Sequence, residues 1–434
     1  MRKPVLCQAI SMTSTCGVFN RRAIRAGRGP VHNAEPAKEV EEMPAKATRV
    51  LLSILFAACA PAAIGHAADK PATAVRAVVD AAIRPVMEKY NIPGMAVAVT
   101  IKGKPYLFDY GVSSRETGKP VTADTLFEIG SISKTFVVTL AAYAQANGQL
   151  SLSDKTSKYL PSMRDTAFGN VSLMHLGTHT PGGFPVQVPD EVKNDDQLMT
   201  YLQNWKPAYA AGTYRTYANP SIGMLGYIAA KAMNRNFAAL MEGQLFPALG
   251  LKSTYINVPD TKMADYAQGY TRKDVPARVS KAVLSSEAYG VKTTSTDLIR
   301  FLEANMKMAR LEGKLQRAIA DTHTGYFKVG AMTQDLIWEQ YAYPVDLKTL
   351  LRGNSPDMLK PTPVTALTPP QPARDDVLIN KTGSTNGFGG YVAFVPKKQF
   401  GIVILANKYY PNEDRIRMAY QILTRLDANN GASE

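Results

Sequence analysis

Phe127-Glu128-Ile129-Gly130-Ser131-Ile132-Ser133-Lys134-Thr135-Phe136 is the stretch on which the reading of this 434-residue chain turns. It sets an S-x-x-K pair, Ser131 and Lys134, inside an apolar frame. Gly130 lets the backbone bend tightly just ahead of the serine. Apolar residues then recur at helical spacing (Phe136, Val137, Leu140, Ala141, Tyr143, Ala144), and Gly148 closes the pattern. This predicts a helix with Ser131 at or near its N-terminus. Residues three apart share a helix face, so the Lys134 ammonium can reach the Ser131 hydroxyl. A serine hydroxyl is a poor nucleophile at neutral pH and needs a neighbouring base. A lysine whose pKa is lowered by burial or by another cation can be that base. The helix N-terminus favours negative charge at the same place. Alone the pair is weak, because a helix-capping serine with an exposed lysine has the same spelling.

Composition narrows the classes. Hydrophobic residues make up 45% and charged residues 20%, an ordinary globular balance. The formal charge is +14, but after residue 70 the basic residues are dispersed, with no run interleaved with aromatics. That favours small anionic molecules over nucleic acid. Cys7, Cys16 and Cys59 all precede residue 68. A mature chain starting there has no thiol for disulfides, thiolate metal sites or cysteine catalysis. None of the five histidines makes a metal-binding pair of the H-E-x-x-H kind. His175 and His179, four apart, read as loop or core residues.

Residues 1–42 carry no apolar periodicity and read as an upstream segment of a mis-assigned start, with translation beginning at Met43. Lys46 and Arg49, the apolar run Val50 to Ala60 and the small-x-small site Gly65-His66-Ala67 spell a secretory signal peptide over 43–67. This implies a periplasmic protein without stable membrane insertion, the apolar run being too short for an anchor. Phe56-Ala57-Ala58-Cys59 also resembles a lipobox, a competing reading. An amphipathic helix follows (Val75, Val78, Val79, Ile83, Val86, Met87). Strands at Met95–Ile101 and Tyr106–Val112 form a hairpin around Gly103. The C-terminal end mirrors this, with strands at Tyr391–Val395 and Gly401–Ala406 and a helix at Glu413–Leu426. The middle is mostly helical (Asp195–Gln203, Ser221–Met233, Phe237–Gln244, Ser295–Ala309). Residues 353–376, rich in proline, read as a long loop. The expected fold is mixed α/β (α+β): an antiparallel sheet built from both chain ends with flanking helices (68–130 and 290–434), plus an inserted all-helical domain (131–289). The active site is expected in the cleft between them.

Two further short stretches bear chemistry. Tyr217-Ala218-Asn219 lies on a loop leading into a helix at Ser221. Lys381-Thr382-Gly383 ends a strand that runs into the Gly-rich turn Ser384-Thr385-Asn386-Gly387. Taken together, S-x-x-K, Y-x-N and K-T-G in this order resemble the penicillin-binding proteins and serine β-lactamases. The Y-A-N middle motif resembles class C, the AmpC cephalosporinases. Gly182 to Asp190, Phe246 to Leu251, Ala288 to Lys292 and Leu405 to Lys408 are similar to that family too, and the resemblance covers about residues 72–426.

The resemblance implies a β-lactamase/transpeptidase-like fold and a cofactor-free, metal-free hydrolase, working as a monomer, that prefers cephalosporins and confers β-lactam resistance. It implies that Ser131 forms the acyl-enzyme, that Lys134 and Tyr217 hold the base, and that Lys381 favours the Tyr217 phenolate. Whether Tyr217 is anionic or relays a proton between lysines stays open. Backbone N–H groups of Ser131 and Ser384 would hold the oxyanion. Lys381, Thr382, Asn412 and Arg415 would meet a substrate carboxylate. Gln187 and Asn219 would read an amide side chain, and Tyr289 would contact substrate. The stretch Ser280 to Glu287 lacks the family's Pro-Gly element, Leu336-Ile337-Trp338-Glu339 departs from its Gly-Leu-Gly-Trp-Glu, and Tyr409 stands where many relatives carry asparagine. Two alternatives share the acylation machinery: a D-Ala-D-Ala carboxypeptidase or esterase, and a non-enzymatic penicillin sensor.

Overall fold

A computed structural model describes residues 70–431; the expected upstream segment 1–42 and the expected signal peptide over 43–67 lie outside the described residues. Helix α1 (Lys70–Tyr90) leads into β1 (Gly94–Ile101) and β2 (Lys104–Gly111). Lys102 and Gly103 join these strands with positive φ angles of 49° and 82°, the backbone that a tight hairpin turn requires. Then come α2 (Ser133–Ala146), α3 (Asn219–Ala232) and α4 (Ser295–Asn305). Four strands follow: β3 (Gly325–Val329), β4 (Met332–Gln334), β5 (Glu339–Ala342) and β6 (Thr365–Gln371). The chain closes with β7 (Val377–Ser384), β8 (Gly389–Val395), β9 (Phe400–Ala406) and α5 (Asn412–Gly431).

The strands make one nine-stranded sheet in the order β6-β3-β4-β5-β7-β8-β9-β1-β2. N-terminal β1 lies against C-terminal β9, antiparallel, with Ala96 opposite Leu405 and Val99 opposite Ile402. The expectation of a sheet built from both chain ends is met. Side chains alternate faces along a strand, and both faces are covered. Met95, Val97 and Val99 pack with Ile402 and Ile404 against α1 and α5 (Val79, Ile83, Ile416, Ile422). Ala96, Ala98, Val403 and Leu405 face the other way and join a core with Phe136, Leu140 and Phe301. Phe136 of α2 stacks on Phe301 of α4 with centroids 4.1 Å apart. Eleven of the fourteen α2 residues are buried, which is why this segment is apolar almost all round rather than on one stripe.

Two expectations change. The stretch 353–376 is not all loop: it holds β6, the sheet's edge strand. Proline is tolerated on an edge because no neighbour needs its missing N–H, so Pro369 and Pro370 concealed a strand whose side chains are largely exposed. Helix α4 ends at Asn305, short of Ala309. Among the described residues no helix is long and apolar enough to cross a membrane.

Candidate active site

Gly130–Ile132 forms one turn of 3-10 helix that runs straight into α2, so Ser131 sits at a helix N-terminus. Lys134, one turn on, is fully buried. Its Nζ donates to Ser131 Oγ at 2.8 Å and to the Ala288 carbonyl at 2.8 Å. Ala288 lies on the short helix Ser285–Tyr289, so the ammonium is clamped between two segments far apart in sequence.

Tyr217 enters from the loop before α3. Its phenol faces Ser131 and Lys134, and both favour the phenolate. Lys134 Nζ lies 5.3 Å and Lys381 Nζ 5.4 Å from the Tyr217 ring centroid. Burial alone would raise the phenol's pKa; the Lys134 and Lys381 charges, aided by the Ser131 hydroxyl, overcome it and hold it down at about 8. Burial, aided by the charge of Lys381, brings Lys134 down to about 8 against the pull of Tyr217. A phenol and an amine with matched proton affinity share one proton and titrate as a pair.

The segments that carry the expected oxyanion donors meet through glycine. Gly130 has φ +49°, and a Cβ there would come within 2.5 Å of the Ser384 backbone N and C atoms. Gly383 of β7 similarly presses on the Ile129 carbonyl. The turn and the end of β7 therefore touch backbone to backbone, so the segments that carry Ser131 and Ser384 are held against each other. Gly130→Ala should force them apart. One displaced donor costs about 10²- to 10³-fold in turnover, so a fall of that order at saturating substrate is expected, and unchanged turnover would show that the contact is dispensable.

Above these groups lies a cavity of about 600 Å³ lined by Ser131, Gln187, Tyr217, Asn219, Ser280, Lys281, Tyr289, Ser384 and Tyr409, among others. The sequence profile of the family described as Beta-lactamase matches residues 79–426. A β-lactamase of Pseudomonas fluorescens is 52% identical over 357 residues, covering 82% of this chain and all of that one. A crystal structure of a β-lactamase/D-alanine carboxypeptidase from Pseudomonas syringae superimposes with a TM-score of 0.80 at 56% identity, covering 81% of this chain and 99% of that one. A class C β-lactamase crystallised with cefoxitin gives 0.80 at 50% identity, with 82% and 99% covered. The chain belongs to the β-lactamase family.

Within this β-lactamase the expected residues divide. Gln187 and Asn219 meet: Asn219 Nδ2 donates to Gln187 Oε1 at 2.8 Å on the cavity wall. Helix α3 begins at Asn219, earlier than Ser221, and Asn219 does not cap it, since Ala218 occupies that place. Tyr289 and Ser384 line the cavity. Lys381 lies buried behind it. Thr382 is half-buried beside Lys381 on β7. Asn412 opens α5 and is not on the cavity wall.

Arg415, expected to meet substrate, does not. It is fully buried in α5, and donates to the Gly383 carbonyl at 2.7 Å, to Ser384 Oγ at 2.8 Å and to the Tyr410 carbonyl. Carbonyl acceptors spent on the guanidinium let it stay buried without a carboxylate, and it braces the strand end that carries the Ser384 donor.

Other supporting residues had no local signal. Arg215, two before Tyr217, is 1% exposed. It donates to Gln334 Oε1 (2.6 Å), the Met358 carbonyl (2.8 Å) and Glu339 Oε1 (2.9 Å). Lys381 Nζ is 3.8 Å from the same Glu339 oxygen. One buried carboxylate thus balances two cations, which is the arrangement that makes burying them tolerable.

Proposed function

We propose that this protein hydrolyses β-lactams through an acyl-enzyme on Ser131. The observation that carries this reading is the 2.8 Å contact between Lys134 Nζ and Ser131 Oγ at the floor of the cavity, with the Tyr217 ring between the Lys134 and Lys381 ammonium groups. Ser131 Oγ attacks the lactam carbonyl carbon and its proton passes to the Tyr217–Lys134 pair. The tetrahedral oxyanion accepts from the Ser131 and Ser384 N–H groups. The ring C–N bond then breaks, and the nitrogen takes the proton that the pair holds. A water activated at the same pair attacks the ester, releasing the opened product and restoring the Ser131 hydroxyl. Lys381, held by Glu339, keeps Tyr217 poised; Lys381 and Thr382, with Asn412, are the residues proposed to attract the substrate carboxylate. Gln187 and Asn219 read the amide side chain, with Tyr289 beside them, and cephalosporins are the preferred class. A host exporting the enzyme gains β-lactam resistance.

A second reading keeps the same acylation but makes the chain a D-alanine carboxypeptidase. The printed name of the Pseudomonas syringae neighbour carries both activities. Purified protein turning over nitrocefin many times per Ser131 supports hydrolysis; one burst without turnover supports the second reading. Activity undiminished after dialysis against a chelator is the companion expectation, and a loss would point to a metal. We further infer export to the periplasm, cleavage of the segment 43–67, and action as a monomer. The mature N-terminus near residue 68 and the mass in solution test these.

A further inference from the structure

We propose that His179 positions the Tyr217 phenol for proton transfer by holding the backbone N–H groups of the two residues that flank it. This rests on the reading of Tyr217 as the proton acceptor. The Thr216 N–H, just before Tyr217, donates to the His179 carbonyl at 2.8 Å. The Ala218 N–H, just after it, donates to His179 Nδ1 at 3.3 Å. The two rings lie 4.5 Å apart at 43°. One residue therefore fixes the backbone on either side of the phenol and packs against the ring itself.

His179 holds this place under conditions that packing alone does not explain. It is fully buried, has a left-handed φ of +60°, and its Nε2 has no hydrogen-bond partner among the described residues. Strained backbone and unpaired buried polar atoms concentrate where a fold serves a site. The supporting segment is itself tied down. The Thr180 N–H donates to the His175 carbonyl at 3.0 Å, the Gly212 N–H to the Thr180 carbonyl at 2.9 Å, and Thr180 Oγ1 pairs with His175 Nδ1 at 2.8 Å.

Accepting the Ala218 N–H requires a lone pair on Nδ1, so the ring is neutral with its proton on Nε2. Burial, and the charges of Arg215, Lys134 and Lys381, push its pKa well below the usual histidine range. The ring thus adds no further positive charge. Tyr217 is faced by Ser131 and Lys134 from the helical side, Lys381 from β7, Arg215 from its own loop, and this uncharged imidazole. Glu339 stands behind Arg215 and Lys381.

Two variants test the assignment. His179→Phe keeps a ring and loses the acceptor; His179→Asn tolerates the left-handed backbone and loses the ring. Each is assayed for kcat and KM against pH, with active sites counted by acylation burst. A misplacement of about 1 Å can cost about 10²-fold, so kcat per active site should fall about 10- to 100-fold, with KM changed far less. The acid limb should move upward, because a phenol drifting from the two ammonium groups regains its proton more readily. A limb and a kcat per active site equal to those of the unaltered enzyme, whatever the thermal midpoint does, would overturn the proposal. The unaltered protein supplies a readout that no folding failure can blur: 15N NMR of His179 should show a neutral ring protonated at Nε2 across the active pH range, and a proton on Nδ1 would end the argument. Full turnover in Tyr217→Phe would instead remove the reading of Tyr217 itself, leaving the hydrogen-bond geometry of His179 untouched.

Discussion

Ser131→Ala should lower β-lactam turnover by about 10⁴- to 10⁶-fold, the scale on which loss of a catalytic serine is felt. Its effect on folding should be small. The Lys134 ammonium keeps the Ala288 carbonyl as acceptor and the attraction of Tyr217 when Oγ is gone, so the buried charge still has a partner. The thermal midpoint should therefore stay close to that of the unaltered protein, within about 1 kcal/mol of stability. Mass spectrometry gives a second check: the unaltered protein gains the mass of a slowly released β-lactam, and Ser131→Ala gains nothing. Retained turnover, or an adduct elsewhere, would refute the assignment of the nucleophile.

Tyr217→Phe should cost about 10²- to 10⁴-fold, the usual worth of a positioned general base, while leaving the ring packing against His179 in place. Its pH dependence is the sharper test. A free phenol titrates near about 10, and in this site the value is held down at about 8. Activity that needs the deprotonated pair rises as pH rises through that region and is lost as pH falls below it. Lys381→Met removes a positive charge that favours the phenolate and also depresses Lys134. Both values must then rise, and the acid limb must move to higher pH. A limb that stays in place, or moves down, would show that the pair does not control the rate.

Much of the scaffold was legible because its causes are local. Residues Met95–Ile101 and Gly401–Ala406 are apolar but for Thr100 because both faces of their sheet are covered. The edge strand β6 was not, since a strand that buries little has no apolar pattern to announce it. Strands β3 to β5 escaped for a related reason. They are three to five residues long, and β4 and β5 bury Gln334, Glu339 and Gln340, polar residues that a hydrophobic pattern cannot register. Arg415 misled in another way. It was expected at a substrate carboxylate, and only the converging carbonyls of Gly383 and Tyr410 explain how it lies inside.

Helical geometry alone settled that Lys134 reaches Ser131, because a spacing of three residues is a distance as well as a count. The types and order of Tyr217 and Lys381 were equally plain in the chain. Through-space proximity decided the rest: that Gly130 touches Ser384, that Glu339 lies between Arg215 and Lys381, and that His179 holds the N–H groups of the residues on either side of Tyr217. Those contacts join residues tens to hundreds of positions apart, where no local period carries information, and they exist only once the sheet has closed and the cores on its two faces have packed.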